Sequence, residues 1–468
     1  MIRYLEKEKV FHLRTKKSSY VIAIQETGHP VCLHYGKALG DRERFGWLRQ
    51  GYTLTPGSST CYEEGSAVTL DTCLMEMPFS GKGDYREPAV QLHFFDGTRV
   101  SDFVYQGHEL HPEKRALEGL PYSFEREGKD LNEAPGSEMV ETLELILKER
   151  IRDVELRLSY SVFPDCDVIV RSSRIKNLEA SDLKVERIMS FNLDLPDKDF
   201  DLLTLDGMWI SERQMNEGAL RPGVFSIDSK KGVSGANHNP FMGLRRGNCT
   251  ERSGECFGFS LVYSGNFVGR LEVSPYGMTR IQMGISDHDF SWTLKEGEYL
   301  QTPEGVMTFS SEGLGGMSHH FHDFINSHVV PEYWQKRERP ILVNNWEATY
   351  FDFNEASLMK LARSAKDMGI ELFVLDDGWF KGRNNDKTSL GDWSPDGKKL
   401  PEGLGGLAKK INGLGLDFGL WVEPEMISPE SDLYRAHPDW AILQKDRRPS
   451  LGRNQLMLDL SNPEVVDY

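Results

Sequence analysis

At 468 residues the chain exceeds one ordinary hydrophobic core, so at least two domains are expected. A net charge of −17 without any long basic run argues against a nucleic-acid binder, which needs clustered Lys and Arg. The charged start Met1-Ile2-Arg3-Tyr4-Leu5-Glu6-Lys7 and the lack of any apolar run near the roughly 20 residues of a span argue against a signal peptide and a membrane protein, leaving the cytoplasm as the expected compartment.

Residues from about 10 to about 310 read as β structure. Val154, Leu156, Leu158, Tyr160 and Val162 alternate with polar or charged residues, and Val168 and Val170 resume the pattern after the turn at Pro164-Asp165. Further turns are expected at Asn237-His238-Asn239-Pro240 and Ser264-Gly265-Asn266, so the region predicts a large sandwich of short strands. Six scattered cysteines without a CxxC pair predict reduced thiols and no zinc site.

Near residue 315 the pattern changes. Gly315-Gly316-Met317 leads into a helix, and the charged, proline-ended Lys336-Arg337-Glu338-Arg339-Pro340 suits a connection, dividing the chain into 1–325, a linker 326–340, and 341–468. Ile341–Val343 is then a short strand, Asp352-Phe353-Asn354-Glu355 a capping box, and Leu358, Leu361, Ala362, Ala365 and Met368 one face of a helix closed by Gly369. Leu372–Leu375 is a second strand, Leu404, Leu407, Ala408 and Ile411 a second helix ended by Gly415, and Phe418–Val422 a third strand. Such βα units predict the opening part of a (β/α)₈ barrel, with its site at the strand ends. Three strands cannot close a barrel, so Phe373, Leu375, Phe418 and Leu420 are expected to lack an opposite wall. Asn462-Pro463-Glu464 is a strong helix start with only four residues after it, which suggests a sequence that continues.

The strand ends carry the candidate chemistry. Asp376-Asp377-Gly378-Trp379 joins two carboxylates to an indole, suited to sugar hydroxyls and a sugar face; a helix cap or an ion pair is the second reading, and metal binding a third that lacks a His or further carboxylate at ligand spacing. Trp346 could stack on a ring or cover the barrel top, and Trp393, in Ser389-Leu390-Gly391-Asp392-Trp393, could cover a further subsite or pack its own loop. Glu423 and Glu425 beside Trp421 tempt one to name a catalytic pair, although holding neighbours by hydrogen bonds explains them too. Arg453-Asn454-Gln455 is a planar donor cluster that also suits an ordinary salt bridge. His319, His320 and His322 have no partner at metal-ligand spacing and read as surface histidines on a helix.

Five ordered segments make the chain recognisable: ILVNNWEATYFDF (341–353), LDDGWF (375–380), SLGDW (389–393), GLWVEPEM (419–426) and GRNQLMLDLSNPEV (452–465). With GDYREPA (83–89) and VYSGNF (262–267) upstream, they resemble the bacterial α-galactosidases of glycoside hydrolase family 36 over nearly the whole chain. The resemblance implies a β-supersandwich followed by a (β/α)₈ barrel, and metal-free, cofactor-free, retaining hydrolysis of terminal α-galactosyl residues of melibiose, raffinose and related sugars. Asp376 and Asp377 should hold galactose hydroxyls, Trp346 and Trp421 should wall the sugar site, and Arg453 should bond within it.

The family's nucleophile, in a Lys-Trp-Asp segment, and its acid/base aspartate are not in this sequence, so no catalytic residue is assigned, Glu423 and Glu425 are not promoted, and the chain alone is expected to be inactive. Two departures set the family's tetramer in doubt here. The stretch from Trp47 to Ser66 does not match the loop by which some members reach a neighbour's site, and Leu202 stands where such members can carry an aromatic. A galactoside-binding protein without turnover, an α-N-acetylgalactosaminidase and a galactosyl transferase are the alternatives.

Overall fold

The computed structural model describes residues 1–49, 60–125 and 139–468; part of the Trp47–Ser66 stretch lies outside the described residues. The chain divides into two compact units, Met1–Gln335 and Lys336–Tyr468.

The first unit is built of antiparallel sheets. Ile2–Leu5, Val10–Arg14, Ser18–Ile24 and Pro30–Lys37 form a four-stranded meander. A six-stranded sheet is organised on the long strand Leu183–Leu195, and a ten-stranded sheet runs from Phe103–His111 to the end strand Ser211–Ala219. Period-two patterning explains the strands: Val154, Leu156, Leu158, Tyr160 and Val162 are all at most 1% exposed and pair in register with Val168–Asn177. Side chains from all three sheets meet in one apolar core.

Three expectations change in this unit. Asn239 and Pro240 lie inside the strand His238–Arg245 rather than in a turn, because the pairing with Asp201–Met208 resumes beyond them at His238, opposite Asp206. Residues 326–328, expected as linker, are the last turn of the helix Gly313–His328, where Phe324 and His328 pack on Phe163. His320 is not a surface residue: helical periodicity turns it inward, and its Nδ1 lies 2.8 Å from Thr308 Oγ1, while His319 and His322 are exposed. No described helix is long and apolar enough to cross a membrane.

In the second unit Leu342–Asn344, Leu372–Leu375 and Asp417–Leu420 form a three-stranded parallel sheet in chain order. Helices Glu355–Asp367 and Gly403–Gly413 make the connections. The capping box is displaced by two residues from its expected place. Asn354 is the cap, accepting from Ser357 N at 3.0 Å while Ser357 Oγ accepts from Asn354 N at 3.0 Å. Gly369 and Gly415 both take positive φ, +84° and +78°, as a left-handed helix stop requires. Met368, expected on the apolar face, is 76% exposed, since the helix ends at Asp367 and the chain turns away.

Phe373 and Leu375 are fully buried, packed with Leu358, Ala362, Leu407 and Ile411. They therefore point to the helices and need no wall from across a barrel, contrary to the expectation; Phe418 and Leu420 are half-buried against the same cluster. A smaller cluster gathers Ile427, Leu433, Trp440, Leu456 and Leu458 around the two-stranded pair Met426–Ile427 and Leu456–Met457. Asn462 caps the helix Pro463–Asp467, its Oδ1 accepting from Glu464 N at 3.0 Å.

Candidate functional site

In a parallel sheet the side chains just past the carboxyl ends of the strands converge, because all the strands end on one side. Here those residues are Asn344-Asn345-Trp346, Asp376-Asp377 and Trp421. Asn345 is fully buried and works through both ends of its amide: Oδ1 accepts from Asp376 N at 2.8 Å and Nδ2 donates to Thr349 Oγ1 at 2.9 Å. Asn344 Nδ2 donates to Asp376 Oδ2, and Asn344 Oδ1 accepts from Trp346 N at 2.7 Å. One asparagine pair thus sets the backbone at Asp376, orients its carboxylate and starts the turn that carries Trp346.

The paired aspartates occupy different surroundings. Asp376 is half-buried, with Oδ1 accepting from Asp377 N at 2.6 Å. Asp377 is 3% exposed and faces the guanidinium of Arg383, itself fully buried, through Nε at 3.0 Å and Nη2 at 2.8 Å. Gly378 N donates to Asp377 Oδ1 at 2.7 Å. Of the two, Asp376 is the more open to a ligand, whereas Asp377 spends most of its acceptor capacity on Arg383 and Gly378.

Lys399 closes this arrangement from beneath. Its ammonium donates to the carbonyls of Phe351, Gly378 and Arg383 at 2.9, 2.7 and 3.2 Å, tying together the segments that follow the first two strands. Burial lowers its pKa, opposed by the carboxylates of Asp396, Asp377 and Asp352.

The aromatic residues form a connected set. Trp379 Nε1 donates to the carbonyl of Trp421 at 3.0 Å, holding the second and third strand ends together. Trp393 lies 6.1 Å from Trp379 at an interplanar angle of 25° and 6.4 Å from Trp421 at 69°, so it bridges the two rings. Its neighbour Asp392 accepts from the amides of Asp432 and Leu433 at 2.8 and 2.9 Å, fixing the loop to a helix start. Trp346 packs edge-on against Tyr350 and Phe351, and both Trp346 and Trp421 keep part of the ring exposed.

Arg453 and Asn454 sit at the tip of a tight turn with φ of +50° and +65°, closed by Gly452 and Gln455 bonding to each other at 3.2 and 2.9 Å. The turn presents the exposed Arg453 side chain outward, while Gln455 is buried. Glu423 has a buried Oε2 with no hydrogen-bond partner among the described residues. Burial raises its carboxyl above the usual range, Arg453 pulls it partly back, and Glu425 raises it further.

A pH-dependent outcome follows. Below the unfolded value of about 4.3 the Glu423 carboxyl is neutral in both states. As pH rises through its raised folded value, ionisation costs the folded state, and stability is lost. Glu423→Gln is therefore expected to raise the stability of the second unit modestly at pH 7, an effect limited by solvent screening, and to be close to neutral at pH 4. Urea midpoints at the two pH values measure this, and destabilisation at pH 7 would contradict it.

Sequence reasoning passed over Arg383 and Lys399, and took Asn344 and Asn345 only as part of a longer segment. Their one signal was position, since Asn344-Asn345 stands at the end of a predicted strand. Elsewhere, Glu109, His111 and Glu144 have metal-ligand composition, but Arg157 already lies 3.3 and 3.2 Å from the two carboxylates and compensates their charge.

Residues 28–295 match the glycosyl hydrolase family 36 N-terminal domain, and residues 299–468 match the melibiase domain. The alpha-galactosidase AgaA of Geobacillus stearothermophilus is 43% identical over 470 residues, covering 100% of this chain and 63% of that protein. The crystal structure of the alpha-galactosidase AgaB of the same organism superposes with a TM-score of 0.94 at 42% identity, covering 100% of this chain and 62% of its own. An AgaA variant in complex with raffinose gives a TM-score of 0.93 at 43% identity, with 98% and 62% covered. The chain thus spans less than two thirds of the length of these relatives.

Proposed function

The chain belongs to glycosyl hydrolase family 36, and on that premise we propose that it is the sugar-holding part of a retaining α-galactosidase acting on raffinose, melibiose and related galactosides. The observation that carries this reading is the half-buried Asp376 carboxylate, oriented by Asn344 at the mouth of a parallel sheet and flanked by the partly exposed Trp346 and Trp421. An ionised carboxylate takes strong hydrogen bonds from hydroxyls, and indole faces cover the apolar side of a pyranose. The AgaA variant bound to raffinose supports the substrate class.

In this reading the first unit is a β-supersandwich and the second the opening βα units of a (β/α)₈ barrel. Asp376 and Asp377 receive galactose hydroxyls, Trp346 and Trp421 wall the sugar, and Arg453 bonds at its rim. The nucleophile and the acid/base, about 5–5.5 Å apart in a retaining enzyme, come from the remaining length that such relatives have. The reaction needs no cofactor or metal, since the two carboxyl groups perform both displacements. A reducing cytoplasmic setting suits six free thiols, five of them buried.

The test follows the anomer first released from an aryl α-galactoside, by proton NMR, using a protein that contains this chain and that remaining length. Initial α-galactose is expected. Initial β-galactose would overturn the retaining mechanism, and no release at all would overturn the activity.

A further inference from the structure

Alternation gives the ten-stranded sheet a second, polar face. Where Leu156, Leu158 and Tyr160 enter the core, Arg157 and Ser159 point the other way, as do Ser172 and Arg174 on the neighbouring strand Val168–Asn177. Register sets Ser159 opposite Ser172 and Arg157 opposite Arg174. Glu144, on the strand Glu141–Glu149, stands opposite Ser159 and extends that row to a third strand.

The stretch after the strand Phe103–His111 roofs this floor. Thr142 Oγ1 donates to the carbonyl of Glu113 at 2.9 Å, and the Lys114 side chain, 4% exposed, holds its ammonium 2.6 Å from Glu304 Oε1. Further along, Glu118 Oε2 accepts from Tyr299 Oη at 2.8 Å. Between roof and floor lies a cavity of about 60 Å³, whose lining includes Arg115, Arg157, Arg174, Ser159, Ser172 and Glu144. A water occupies roughly 10–15 Å³ of such space, so the volume suits a tetrahedral ion of about five heavy atoms and little more.

The charges around this cavity are unevenly matched. Lys114 has Glu304, and Arg157 lies 3.2 Å from Glu144 and 2.8 Å from Glu155. Arg115 and Arg174 have no carboxylate partner among the described residues; Arg174 rests over the Tyr299 ring at 5.6 Å. Like charges directly opposite on paired strands repel, so Arg157 facing Arg174 costs the sheet stability unless an anion lies between them. Ser172 is an independent sign. It is 7% exposed, it lines the cavity, and its hydroxyl has no hydrogen-bond partner among the described residues. A buried hydroxyl left without a partner is costly, which points to a ligand that supplies one.

Glu144 narrows the class of anion. Its Oε2 accepts from Arg157 at 3.2 Å, while its Oε1 accepts no hydrogen bond among the described residues. An ionised carboxylate can only accept, so it favours an oxyanion that carries a proton and repels one that carries none. Phosphate keeps a proton at neutral pH and sulfate does not.

We propose that this cavity binds inorganic phosphate, held by Arg115, Arg174 and the hydroxyls of Ser159 and Ser172, with the ion's own proton donated to Glu144. The volume fits the free ion rather than the larger body of a phosphate ester. The inference stands apart from the enzymatic reading.

Isothermal titration calorimetry of the full chain at pH 7, in a phosphate-free buffer of low ionic strength, tests it. One phosphate per chain is expected, with Kd on the order of 0.1–1 mM, and sulfate at least about tenfold weaker. Arg174→Met keeps the stem over Tyr299 but removes a charge-assisted donor, and is expected to weaken phosphate at least about tenfold. Arg115→Met, on an exposed stretch outside the strands, leaves the sheet untouched and is expected to weaken phosphate by about threefold or more. Glu144→Gln offers an amide donor, while Arg157 keeps Glu155 and Glu109, and is expected to bring sulfate within about threefold of phosphate. No phosphate binding up to about 10 mM, arginine variants that titrate like the parent, or sulfate bound as tightly as phosphate by the parent would overturn the proposal.

Discussion

Replacing Arg383 by methionine is expected to destabilise the Lys336–Tyr468 unit by about 3–5 kcal/mol. The reason lies in what would be left behind. Asp377 is 3% exposed, and the guanidinium is the only cation that touches its carboxylate among the described residues. A charge taken out of water and then stripped of its partner carries an uncompensated desolvation cost, far above the net worth of the pair. Arg383 also donates to the carbonyl of Thr388 at 2.8 Å, so its loop would loosen as well. Asp377→Asn in the same chain should recover much of the loss, because a neutral amide tolerates burial better than a lone carboxylate. Chemical denaturation of the single and double variants measures the coupling. A loss below about 1 kcal/mol for Arg383→Met, or a double variant as unstable as the sum of the singles, would show that the pair does not hold this loop.

Asp376→Asn should act on turnover and hardly on folding. In the complete enzyme kcat/KM is expected to fall by a factor equivalent to about 2–4 kcal/mol, since hydroxyl bonds to a charged acceptor strengthen as charge develops in the sugar. Asp376 is half-buried and held by uncharged donors, Asn344 Nδ2 and Asp377 N, so neutralising it leaves no buried cation unpaired. The denaturation midpoint should therefore change little. Asp377→Asn differs in kind, because it lowers stability along with activity by releasing Arg383. A kcat/KM for Asp376→Asn within about threefold of the parent would leave this carboxylate as a structural cap.

The two aspartates were adjacent letters in the sequence, and nothing local distinguished them. Strand periodicity placed both at the end of Leu372–Leu375, but the contrast between an open and an ion-paired carboxylate depends on a loop residue six positions on and on an asparagine thirty-two positions before. Trp393 shows the same limit. Its loop position was legible, while its place between Trp379 and Trp421 came from three separate segments meeting. His320 was misjudged for a related reason: three near-adjacent histidines look alike in a list, but the helix turns one face to Thr308 and the other to solvent.

What the sequence determined by itself was whatever the chain decides within about one turn or one strand. The alternation through Val154–Phe163, the helix over Glu355–Asp367 with its glycine stop, and the Asn462 cap arise from contacts a few residues apart, whose physics is written in adjacent side chains. Tertiary structure decided the partnerships across long separations: Asn345 with Asp376, Lys399 with Phe351, Trp379 with Trp421. These join segments more than 20 residues apart, and many polar side chains could satisfy a buried donor or acceptor equally well. Only packing of the parallel strands, which brings particular carboxyl ends to one side of the sheet, selects which of them meet.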